Sequence, residues 1–274
     1  MPLVELQDSY FFNSSPTSGA TPLGNLGNKF KVTLSNPITL PGHALYASLE
    51  VVSAKVWYTS PNISAEIGNN HLRFSYNGQS YDITFEDGSY GVEELDDVLS
   101  KYFVGAGLSS NLFILETNDA VQKVYITFEV AGVSIDFTGA DTIRSVLGFA
   151  GIITSTTPGP IQGTSDAKFN RIENYLIKSD IVQSGIPQND TAAGIIAEVP
   201  LGDTGVGDQI SYNPFNPLRC DATDLIGKAK QVLTFTLTDQ ELRDVSTAGE
   251  YWSVTVVLRY YVNLENNNSH VGKR

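Results

Sequence analysis

Residues 251–262 read YWSVTVVLRYYV. Val254, Val256, Leu258 and Tyr260 alternate with Thr255, Val257, Arg259 and Tyr261. A period of two is the signature of a β-strand, because successive side chains leave opposite faces of the backbone. Val257 and Tyr261 make the second face partly apolar too, as expected of a strand in a sheet sandwiched between layers.

The same pattern recurs on either side of the acidic middle of the chain. Lys29–Leu34 alternates strictly, with Phe30, Val32 and Leu34 on one face, and Ala44–Tyr58 is a long strand-rich stretch. Beyond the middle come Ile172–Val182, Gly194–Pro200, Gln209–Tyr212 and Gln231–Leu237. Seven or eight strands of irregular length, separated by Gly/Pro loops, predict a mainly β chain. The fitting architecture is a single antiparallel jelly-roll sandwich with body segments 29–62 and 151–262.

Residues 63–150 break the pattern. His71–Tyr76 and Gln79–Phe85 flank Asn77-Gly78, the dipeptide favoured by type I′ hairpin turns because both central residues need positive φ. In Gly91–Phe103, apolar residues recur every three or four positions, placing Val92, Leu95 and Leu99 on one helical face. Glu93, Glu94, Asp96 and Asp97 then read as its solvated face. Strands at 112–117, 122–130 and 133–137 follow, then a helical turn at 142–149 and a loop at 154–168. The block is expected to be a small ββαββ insertion subdomain. Residues 1–28 read as an N-terminal arm, rich in Pro and Gly, with Tyr10, Phe11 and Phe12 as candidate inter-subunit contacts. Residues 263–274 read as a flexible polar tail.

Composition narrows the function classes. The chain carries 17 Lys+Arg against 30 Asp+Glu, a net charge of −13. Residues 63–150 hold 13 of the acidic and 4 of the basic residues, so −9 of the −13 sits in that block. Such acidity opposes nonspecific nucleic-acid binding, which needs basic patches. Charged residues make up only 17%, below the usual value of about 25%. That suits surfaces buried against neighbours as well as in a core. One cysteine, Cys220, excludes an intrachain disulfide. MPLVELQDSYFF lacks the layout of a signal peptide, and no apolar run reaches the length of a membrane span.

Chemistry finds little support. His43, His71 and His270 show no metal-ligand spacing. The glycine-rich stretch 202–207, GDTGVG, lacks the lysine of a phosphate-binding loop, and Asp203 and Asp208 lack the spacing of a calcium loop. No metal, cofactor or catalytic residue is expected. Glycosylation sequons begin at Asn13, Asn62, Asn189 and Asn267, and carry little weight without a signal peptide. Trp57 and Trp252 both lie in strand patterns and are expected in the core.

Several phrases, in order, carry a resemblance. DGSY at 87–90 precedes the helix VEELDDVL, then come SVLGF at 145–149, YLIKSDIV at 175–182 and IIAEVPLG at 195–202. GDQISYNPFNP at 207–217 and LTDQELRDVSTAGEYWSVTVVLRYY at 237–261 follow. This order resembles the penton, or minor capsid, proteins of virophages, Polinton-like viruses and related double-stranded DNA viruses. The resemblance implies a single jelly roll forming homopentamers that close icosahedral five-fold vertices. It further implies contact with a major capsid protein of the double jelly-roll type, in a virion assembled inside the host cell. The acidic block would then face solvent outside the shell.

Read this way, the chain is a structural protein and not an enzyme. Deleting residues 1–28 is expected to weaken incorporation into particles while leaving the fold intact. The alternative is a receptor- or glycan-binding β-sandwich of a virion or cell surface. A hydrolase with a scattered site is a third reading.

Overall fold

The computed structural model describes residues 3–118, 121–169, 171–183, 185–188, 191–202 and 204–263. In chain order, the first strands are β1 (Leu3–Asn13), β2 (Ala20–Pro22), β3 (Lys29–Thr39) and β4 (Tyr46–Trp57). There follow β5 (His71–Tyr76), β6 (Gln79–Thr84), helix α1 (Val92–Gly105), β7 (Phe113–Asn118), β8 (Lys123–Phe128) and β9 (Ser134–Asp136). A short helix α2 (Arg144–Leu147) leads to β10 (Ile152–Thr154), β11 (Gly159–Gln162) and β12 (Asn174–Ser179). The chain continues through β13 (Ile186–Gln188), β14 (Thr191–Pro200), β15 (Gln209–Tyr212), β16 (Arg219–Asp221), β17 (Ala229–Asp239) and β18 (Ser253–Asn263).

Two compact units emerge: residues 1–60 with 172–274, and residues 61–171. In the first, β1-β18-β4-β15 form one antiparallel sheet, with β16 pairing β4 beside β15. The second sheet runs β13-β14-β12-β17-β3-β2. The facing sides enclose one core. Phe12 of β1 packs on Phe235 of β17 with ring centroids 4.7 Å apart. Phe30 of β3 stands 5.3 Å from Phe235 and 5.0 Å, edge-on, from Trp252. Trp252 is 1% exposed, and its indole N–H donates to the Gly27 carbonyl at 3.2 Å, so its one polar atom is satisfied inside the core. Trp57, also expected in the core, is only half-buried and outside this cluster.

The reading of residues 1–28 as an arm is corrected. β1 pairs β18 over its full length, from Leu3↔Asn263 to Asn13↔Ser253. Phe12 is 4% exposed and Tyr10 packs against the same core. The segment is therefore part of the sheet, and its removal takes away both a strand and a core side chain. β2 then adds to β3.

The second unit has its own core. The Asn77-Gly78 turn joins β5 to β6 with φ of 51° and 72°, the left-handed backbone a type I′ turn requires. One sheet runs β10-β9-β5-β6 and another β11-β8-β7. Leu95, Leu99 and Phe103 of α1 are fully buried, and Phe103 meets Phe113 and Phe74 at 4.8 and 5.5 Å. Residues 151–171, assigned from sequence to the sandwich body, belong instead to this unit. β10 and β11 pair β9 and β8, which places strands inside the stretch read as a loop. Asp96 also departs from the expected solvated face: its carboxylate accepts from the Leu115 N–H at 2.8 Å and ties α1 to β7. Burial raises its pKa despite that bond.

Candidate assembly surface

Sheet edges are where one chain most readily pairs with another, because each carries a row of unpaired backbone groups. Three of the four edges in the first unit are interrupted or short. β2 is three residues long and ends at Pro22. β13 is three residues long and contains Pro187. The β15/β16 edge is split by residues 213–218, which include Pro214 and Pro217. β1 differs: 11 residues, no proline and no lysine, hydrogen-bonded on one side only among the described residues.

Of the three aromatics singled out in the sequence, the structure separates one from the others. Tyr10 and Phe12 point inward, stacked with centroids 6.3 Å apart. Phe11 points outward and is 66% exposed. Alternation of the strand decides this, since neighbours must leave opposite faces. Leu3, also exposed, shares the face of Phe11.

The same outer face carries a charge network centred on β4. Glu50 is 2% exposed, although it stands in a strand otherwise rich in apolar residues. Arg259 Nε donates to its Oε2 at 3.0 Å, and Arg219 Nε stands 2.7 Å from Oε1. Arg259 also donates to Glu5 and Gln7 on β1, at 2.6 and 2.8 Å. The Tyr261 hydroxyl donates to Glu5 at 2.6 Å and, with Arg259, holds the Glu5 carboxyl below its ordinary value. The network ties β1, β18, β4 and β16 together and gives the face a fixed polar pattern. Sequence reading passed over Glu50; a lone acid inside an apolar strand was the available signal.

Two further features lie elsewhere on this unit. Between β15 and β16, the loop Asn213-Pro-Phe-Asn-Pro-Leu218 lifts Phe215 clear of the surface, 97% exposed. On the outer face of the six-stranded sheet, a cavity of about 660 Å³ is lined by Lys29, Lys178, Val182, Thr234 and Thr236 among others.

Among the described residues no group of three or more His, Cys, Asp or Glu stands together as a metal site. His71 instead meets Asp82 at 3.0 Å in the second unit, where Arg73 bridges Asp82 and Asp141 and holds the Asp141 carboxyl down to about 2. Cys220 is buried, which pushes its thiol up to about 11 and leaves it a poor nucleophile. The Asn62 sequon is closed to modification, because its buried amide donates to the Tyr90 and Phe169 carbonyls at 2.7 and 2.9 Å. His270, Asp203, the Asn189 and Asn267 sequons and nearly all of the tail 263–274 lie outside the described residues. No helix among the described residues is long and apolar enough to cross a membrane.

Comparison with solved structures places the architecture. The chain is similar in fold to the mavirus penton protein. The likeness covers 96% of this chain and 100% of that one, with a TM-score of 0.50 at 10% sequence identity. A chain of the Sputnik virophage, from its cryo-EM structure, aligns over 95% of this chain and 99% of its own, with a TM-score of 0.39 at 12% identity. No family model and no curated protein matches the sequence.

Proposed function

We propose that the chain is a penton-type structural capsid protein whose first unit is a single jelly roll and whose work is self-association. Strand order carries this reading. Counting β1, β3, β4, β12, β14, β15/β16, β17 and β18 as first to eighth, one sheet has the order first, eighth, third, sixth. The other has the order second, seventh, fourth, fifth. That interleaving is the signature of two Greek keys wound into a jelly roll. The whole-chain likeness in fold to a penton protein supports the same reading.

In this proposal, five copies close a ring at the icosahedral vertex through a heterologous interface. The surrounding partner is a major capsid protein of double jelly-roll type. The second unit, with 14 acidic and 6 basic residues, is an insertion that faces solvent outside the shell. No catalysis is assigned. A particle reconstruction tests the proposal directly: density for this chain is expected at the five-fold vertices, with residues 61–171 outermost. Density confined to the facets, or absence from purified particles, overturns it.

A further inference from the structure

We propose that Phe215 anchors a head-to-tail contact between copies of this chain, by seating in the cavity on the outer face of the neighbour's six-stranded sheet. The inference rests on the reading of the chain as a self-assembling capsid subunit, and it names the surfaces.

The knob is built to stay exposed. β15 and β16 both pair β4, with Tyr212 opposite Ala54 and Arg219 opposite Glu50. β4 spends three residues, Val51–Ser53, between those registers, while the edge strand spends six, Asn213–Leu218. The surplus must leave the sheet. Pro214 and Pro217 fix their own φ and restrict Asn213 and Asn216 before them, so the excursion is stiff without ladder hydrogen bonds. A stiff loop loses little conformational entropy on docking. Within it stands a phenyl ring 97% exposed, and Leu218, the last residue before β16, is 49% exposed. Aromatic side chains presented this way are the residues that dominate interface energies.

The socket has matching chemistry. Lys178, Thr236 and Lys29 are cross-strand neighbours on β12, β17 and β3. Together with Thr234, Asp180, Val182 and Gly194 they line an open concavity of about 660 Å³, in which the Asp180 carboxylate accepts from the Thr234 N–H at 2.8 Å and stands 3.6 Å from Lys230 Nζ. Threonine methyls and lysine stems supply apolar contact; with Asp180 engaged by Lys230, the ammonium groups of Lys29 and Lys178 are left to face the negative face of an aromatic ring.

Knob and socket sit on different sheets of one sandwich, so a contact between them is heterologous. Each copy offers Phe215 to one neighbour and the cavity to the other, the arrangement from which closed rings are built.

The test is mass photometry over a concentration series, with circular dichroism to verify each variant's fold. Phe215→Ala is expected to weaken self-association roughly 30-fold or more. Lys178→Glu combined with Thr236→Glu closes the socket and is expected to do the same. Mixing the two variants is decisive: the first keeps its socket and the second its knob, so dimers are expected while rings are not. Wild-type-like assembly of Phe215→Ala overturns the inference and leaves the capsid reading standing. So does a variant that self-associates normally yet fails to enter particles, since Phe215 then docks on a different capsid protein. A wild-type chain that stays monomeric in solution also overturns it, whereas absence from the vertex overturns the reading on which it rests.

Discussion

Glu50 is held almost out of solvent between two arginines of unequal exposure, Arg219 at 57% and Arg259 at 25%. Removing the acid takes from both arginines the buried carboxylate they share and leaves Arg259 held only by Glu5 and Gln7, whereas removing the more exposed arginine leaves the Glu50–Arg259 pair in place. Glu50→Ala is therefore expected to cost about 1–3 kcal/mol in urea unfolding. Arg219→Ala is expected to cost about 1 kcal/mol or less. Two other buried groups set an alkaline limit. Burial lifts Cys220 from about 9 to about 11 and Tyr175 from about 10 to about 12. Each keeps its proton in the folded chain at a pH where the unfolded chain has lost it. Stability from this source is whole below about pH 9 and falls as pH rises toward about 11–12. Urea midpoints across that window should fall, and Cys220→Ala should flatten the lower part of the slope.

Elements differ in how far their own sequence determines them. The β5–β6 hairpin was legible because Asn77-Gly78 solves a backbone problem few other dipeptides solve. Gly78→Ala, forced to φ near 72°, is expected to lose about 1 kcal/mol by thermal melting. Helix α1 was legible because its apolar spacing survives any context. Leu99→Ala should cost about 2–5 kcal/mol, since Leu99 is fully buried. β1 was the harder case. Val4, Leu6, Tyr10 and Phe12 do recur with period two, but Asp8 interrupts them and a Pro/Gly-rich segment follows. What makes the strand is β18, whose identity as a partner is invisible locally. Deleting residues 3–13 should therefore give an unfolded or aggregated product by circular dichroism, where an arm would have been dispensable. Phe11→Ala, on the outer face, should melt like the wild type. The candidate surface was less legible still: exposure of Phe215 arises from a register difference between β4 and its two edge partners, which no single stretch encodes.

Across the molecule, the charge is divided as the two units are. Residues 61–171 carry 14 acidic and 6 basic residues and close their own hydrophobic core from one continuous segment. Expressed alone, that segment is expected to fold cooperatively, seen as dispersed amide resonances and a single melting transition. The sandwich has no such independence. β1 pairs β18, and β3 pairs β17, so each early strand waits for a partner encoded roughly 200 residues or more downstream. During synthesis the second unit, residues 61–171, has all its strands as soon as it leaves the ribosome, but the sheets of the first unit do not. The surfaces proposed for self-association therefore come into being only on a polypeptide translated through residue 263. A chain stopped short of β18 lacks the strand on which β1 forms. The pairing of β1 with β18 thus makes the sandwich late to form: its first strand gains its partner only once residues 253–263 have been made.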